Sequence, residues 1–208
     1  AGRNGDSVTP ARSCAGARVE VLPHEYVFGF FLILTWVRLV IRSGPVNPPA
    51  LVYLGCLLTS IGVILWAGRR PAPWRWRFRL LLYPALMGLS FFMMPAVITM
   101  LGVPRADAML VQKEIDWAGA QINLAIQSWQ HPLLTDLLMV AYVFFFYYLI
   151  AGPAYYCIRD LPRFRQCFAG LFIIYGLGFI GYTVWPAGGP HRFLVFAQPL
   201  NGGWVTNF

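Results

Sequence analysis

Acidic side chains are scarce in this sequence, with Asp and Glu numbering eight among 208 residues, and histidine occurs three times, as His24, His131 and His191. There is no His-Glu-x-x-His pair, no Cys-x-x-Cys, no Gly-x-Ser-x-Gly elbow and no Walker-type glycine loop. Metal-assisted hydrolysis, the serine-hydrolase elbow and nucleotide chemistry therefore lack their usual signatures, and no metal or cofactor is expected. Cys14, Cys56, Cys157 and Cys167 have neither ligand nor disulfide spacing and read as small apolar residues. Charge of either sign is thin. Charged residues make up 12% of the chain and hydrophobic ones 58%, whereas a soluble domain carries about 25% charged residues. The composition is that of an integral membrane protein. The net charge of +8 does not point to nucleic acid, because the basic residues lie between apolar runs, as topology signals do, and not on one amphipathic face.

What is present in quantity is long apolar runs. Tyr26–Ile41 is broken only by Arg38, while Pro49–Gly68, Leu80–Val103, Leu137–Ile158 and Cys167–Pro190 hold no charged side chain. Each of the last four meets the requirement of about 20 residues for a helix crossing a hydrocarbon core of about 30 Å. Helix is the conformation such runs must take, since lipid offers their backbone groups no partners. The first run reads either as a span or as the apolar part of a signal peptide. Arg38-Leu-Val-Ile-Arg42 offers no small-residue cleavage site and favours the span, from whose end Arg38 would snorkel to the head groups. The expected fold is an all-α polytopic bundle of about five spans in a single domain over 21–208, behind a flexible cytoplasmic tail over 1–20.

Eleven of the sixteen basic residues lie on one side of such a bundle, before the first span, between the second and third, and between the fourth and fifth. By the positive-inside rule that side is cytoplasmic, which puts the segment Trp185-Pro-Ala-Gly-Gly-Pro-His-Arg-Phe193 on the extracytoplasmic or lumenal side. Pro104–His131 is too polar to cross. Its apolar residues Val111, Ile115, Ala118, Ile122, Ala125, Ile126 and Trp129 recur at helical spacing, which predicts an amphipathic interfacial helix on the side of that turn. It would serve either as a lid for a lipid substrate or as a connector. Pro84 and Pro95 would free carbonyls inside the third span. The run Tyr142-Val-Phe-Phe-Phe-Tyr-Tyr148 reads as helix packing or interfacial anchoring, with stacking on a sugar or lipid chain as the alternative.

The segment Tyr182-Thr-Val-Trp-Pro-Ala-Gly-Gly-Pro-His-Arg-Phe193, at the outer end of a span and after the basic link Arg159-Asp-Leu-Pro-Arg-Phe-Arg165, resembles the first active-site motif of the type 2 phosphatidic acid phosphatase superfamily. Within that superfamily it is most similar to the branch that includes inositol phosphorylceramide synthase. The region Asp116–Trp129 with His131-Pro-Leu-Leu-Thr-Asp-Leu-Leu-Met-Val-Ala-Tyr142 is similar to the part before that branch's core spans. The resemblance covers roughly the second half of the chain. It implies an enzyme acting on a phosphoester lipid in the bilayer. A histidine attacks phosphorus to form a phosphohistidine, a second histidine protonates the departing alcohol, and water or another alcohol resolves the intermediate without metal. Arg192 maps onto the arginine that neutralises the equatorial oxygens. His191 would add a donor, and Gly188 and Gly189 would let backbone N–H groups approach the phosphate.

The sequence departs from the family pattern in two places. The superfamily's lysine, seven residues before the motif arginine, is Trp185 here, and the two later motifs that carry the histidines, Pro-Ser-x-His and an Arg followed by His-x-x-x-Asp, do not occur in the chain. The expectation is that the chain is the N-terminal part of a longer enzyme, inactive alone. The competing expectation is a non-catalytic lipid-binding or assembly subunit. A transporter is disfavoured by the lack of ionisable groups within the last four runs.

Overall fold

The computed structural model describes residues 19–70, 72–189 and 195. Among them there is no strand, and seven α-helices follow in order: α1 Pro23–Ser43, α2 Pro48–Arg69, α3 Pro73–Leu101, α4 Asp107–Ala118, α5 Ile122–Ile126, α6 Pro132–Arg159 and α7 Leu161–Val184, with a 3-10 turn Gln127–Trp129 after α5. Five of these, α1, α2, α3, α6 and α7, are long and apolar enough to cross a membrane. The chain is a multi-pass integral membrane protein. The tail expected over 1–20 lies outside the described residues except for Val19 and Glu20.

The helices begin earlier than the apolar runs, and for a local reason. Each of the five spans carries Pro at its first or second helical position, where the missing N–H is not needed and the fixed φ is already helical. The polar first turns thereby join the helices, bringing Glu25 into α1, Arg75, Arg77 and Arg79 into α3, and Arg163 and Arg165 into α7. The turn between α6 and α7 is a single residue, Asp160, whose carboxylate accepts the Arg163 N–H at 3.1 Å. The interfacial segment is two helices and not one. Gly119, at φ +72°, caps α4 in the left-handed region, a conformation that costs glycine nothing and stops the helix.

The first run is the centre of the molecule. α1 packs against α2, α3 and α7, and its Phe28, Phe31, Leu32 and Leu39 have no accessible surface. Phe31 meets Tyr53 of α2 at 5.7 Å and Phe179 of α7 at 5.4 Å, centroid to centroid, and Phe28 meets Tyr83 of α3 at 6.0 Å. The contact of α1 with α7 relies on Gly176, where a Cβ would come 2.8 Å from Val27 Cγ1. A β-branched side chain in a helix cannot swing aside. Gly176→Ala is therefore expected to lower stability by about 1–3 kcal/mol through overpacking. Adding Val27→Ala should recover most of that loss, and a shared melting temperature for Gly176→Ala and the unaltered protein in detergent would contradict the contact.

α6 stands apart from this four-helix core. Its main helix partner is α7, and none of its residues is buried. Tyr142 to Tyr148 lie in mid-helix with every large side chain at least 37% exposed. They contact one another, as Tyr142 with Phe146 at 5.0 Å, and stay exposed instead of forming a buried bundle interface.

Candidate functional site

α7 ends at Val184, and Trp185–Gly189 leave the helix through a bend at Trp185 as irregular chain. The exit is fixed by several bonds. Trp185 N–H donates to Gly181 O at 2.8 Å, Ala106 N–H donates to Pro186 O at 2.9 Å, and Gly188 N–H donates to the Asp107 carboxylate at 2.9 Å. Asp107 sits in the first turn of α4 and is buried. The turn is thus clamped to the start of α4 by two bonds from residues about 80 positions apart in sequence. Gly189 adopts φ +84°, a left-handed conformation that a side chain would strain.

This arrangement changes the part expected of Gly188. Its N–H is occupied by a carboxylate, and that carboxylate would repel a phosphate at the same point. Gly188 braces this segment on α4, while Gly189 supplies a left-handed backbone position. His191 and Arg192 lie outside the described residues. If Asp107 holds the turn, Asp107→Ala should speed hydrogen exchange at the Gly188 amide; the net value of a hydrogen bond to a charged group is about 1.5–3 kcal/mol, or at least tenfold in protection. Unchanged exchange there would show that the turn is held by other contacts.

One cation that the sequence reading assigned to the head groups is placed here instead. Arg38 Nη1 donates to the Thr183 carbonyl at 2.8 Å, capping the last turn of α7 two residues before Trp185. A guanidinium suits a helix C-terminus, whose carbonyls lack partners and carry negative dipole charge. Only the packing of α1 on α7 brings it there. Hydropathy alone could register Arg38 as an interruption and nothing more.

Below the turn, an apolar groove of about 780 Å³ opens between α3, α6 and α7. Its floor includes Met87, Phe168, Phe172 and Phe179, all buried, and Pro84 and Pro153 are among its walls. No charged side chain lines it. It follows α7 from Phe164 to Tyr182, a length of about 27 Å at the helical rise. Tyr182 is also the first residue of the segment that carries the family resemblance.

A second polar group lies at the opposite end of α7, where α1 and α3 also begin. Arg79 holds Glu25 through two bonds, one of them Nε to Oε1 at 2.7 Å, and both side chains are fully buried. Glu25 also accepts the Leu22 N–H at 2.7 Å, completing a cap on α1. Arg79 Nη2 reaches the Glu20 carbonyl, and the Glu20 carboxylate pairs with Arg165 of α7. The guanidinium groups of Arg79 and Arg165 both lie over the Trp76 ring, at 4.5 and 4.1 Å, a geometry worth more the less water is present. His24 packs edge-on to Tyr83 at 4.9 Å with no accessible surface. Arg79, Glu25 and His24 are sealed from solvent, while Glu20 and Arg165 close the outer side of the group; together they tie α1, α3 and α7 to one another. Nothing local in the sequence links positions 25 and 79, and only the packing of α1 on α3 brings the pair together.

Compared with known proteins, the chain matches no family model, no curated protein and no solved structure.

Proposed function

We propose that this chain is the substrate-holding part of an integral-membrane lipid phosphatase or phosphotransferase, with the turn after α7 facing the extracytoplasmic or lumenal side. The observation that carries the reading is one of position: the motif-like segment Tyr182–Phe193 starts at the end of a groove lined without charge. A lipid phosphoester has this division of chemistry, an apolar tail joined to an anionic head. Arg192 would hold the phosphate as a planar paired donor, with His191 beside it and the Gly188-Gly189 backbone setting the path of the chain. Arg38, fixed on the Thr183 carbonyl, adds positive charge near the same end. The phosphoryl group would pass to a histidine supplied by the family's later motifs, the leaving alcohol taking a proton from the second histidine, and water or an alcohol acceptor would then release it.

The test is turnover of a lipid phosphoester labelled at phosphorus, presented in vesicles to the purified full-length protein, with and without a ceramide or polyol acceptor. Release or transfer of label, with an acid-labile phosphohistidine trapped on quenching, is the expected result. Binding of the lipid with neither release, transfer nor adduct would replace the enzyme by the lipid-binding subunit, a reading that the unburied span α6 also fits.

A further inference from the structure

We infer that the groove between α3, α6 and α7 is a binding site for one alkyl chain of a membrane lipid whose head group lies beyond the C-terminal end of α7. The head-group clause rests on the phosphoester reading, whereas the chain site itself stands on the groove. In a bilayer, the apolar molecule that meets an uncharged, laterally open cleft is a lipid chain, and packing does not favour leaving such space unfilled. The cleft runs nearly the thickness of a hydrocarbon core, and its volume falls within the range of about 300–1,000 Å³ usual for small-molecule sites.

Two glycines border the space. Gly88 of α3 and Gly178 of α7 both line the groove, and at neither would a Cβ meet any atom within 4 Å. Glycine at these two positions leaves the cleft wall bare of side chain on both helices. α6 closes one wall while burying no residue of its own in the protein. A chain lying in the groove would supply the contacts that wall lacks.

The glycines also supply the test. Gly178→Phe and Gly88→Phe should each intrude on the groove from a position where an added Cβ meets no atom, and Gly170→Phe, on α7 but outside the groove and equally unobstructed, is the control. The full chain is reconstituted in phosphatidylcholine vesicles containing a phospholipid with a mid-chain diazirine, irradiated, and mapped by peptide mass spectrometry. Labelling of Phe172 and Tyr175 should exceed that of the outward-facing Phe92, and should fall about tenfold in either plugging variant, the loss expected when one or two methylenes of burial are removed. Label at Phe92 and the response of Gly170→Phe should not change. Equal labelling of groove and outer face, no effect of either plug, or groove residues cross-linked to a second copy of the chain would overturn the site. A diacylglycerol probe separates the two readings. If it labels the groove as well as the phospholipid and competes equally, the chain site holds and the head-group assignment fails. Phosphoester turnover undiminished in both plugging variants would leave the enzyme reading intact and remove the groove.

Discussion

Arg79→Leu is expected to cost about 3–5 kcal/mol, because it strands the Glu25 carboxylate in the bundle with no counter-charge. Both side chains of the pair are without accessible surface, so solvent screening does not soften the loss. Against a total stability of about 5–15 kcal/mol for an ordinary domain, that is enough to leave a large unfolded fraction. The same substitution removes the bond to the Glu20 carbonyl and one cation from the Trp76 ring, loosening the start of α1 from α3. The double variant Glu25→Leu with Arg79→Leu should be far closer to the unaltered protein, since a buried pair replaced by apolar groups loses the desolvation penalty together with the attraction. Unfolding of the four members of this cycle, followed by tryptophan fluorescence in mixed detergent micelles, measures the coupling directly. Additive effects, or a single variant as stable as the unaltered protein, would mean that the two side chains are not paired in the membrane.

Under the proposed phosphoester chemistry, Arg192→Ala should lower kcat by about 10²–10³, or about 3 kcal/mol, the usual consequence of removing one preorganised donor from a developing oxyanion. KM should change less, because the group acts most strongly on charge that grows in the transition state. Arg192→Lys should recover only part of the loss: an ammonium restores the charge but not the planar pair of donors. The measurement requires a protein in which the two histidine motifs are present, since the 208 residues here hold neither. Activity of Arg192→Ala within about twofold of the unaltered enzyme would remove the residue from phosphate binding, because so small a change is worth under 1 kcal/mol. The role would then be that of an anchor to lipid phosphates.

Most of what hydropathy can register was legible. Its limits fall where polar residues meet. The five runs became five spans, but α3 begins at Pro73 instead of Leu80 and includes three arginines. An apolar window discards such a first turn, although one arginine in it, Arg79, is fully buried in the core. The helical spacing over Val111–Trp129 was real in each piece and misleading as one helix, because periodicity carries on through Gly119 while the backbone does not. Of the expected Gly-Gly turn, the described part is an irregular exit from α7 with Gly189 at φ +84°. Its attachment to Asp107 was not legible, since the partner lies 81 residues away.

The sequence by itself determined the number of spans, because the hydrocarbon core sets one length requirement for every crossing segment and denies backbone groups any partner but their own helix. Proline in the sequence also marks each helix start. Tertiary structure alone decided that α1 lies at the centre, that Arg79 finds Glu25 and Arg38 finds Thr183, and that α6 leaves a groove beside α7. Those outcomes depend on which side chains fit against one another across the bundle, and all spans look alike to a solvent that distinguishes only apolar from polar.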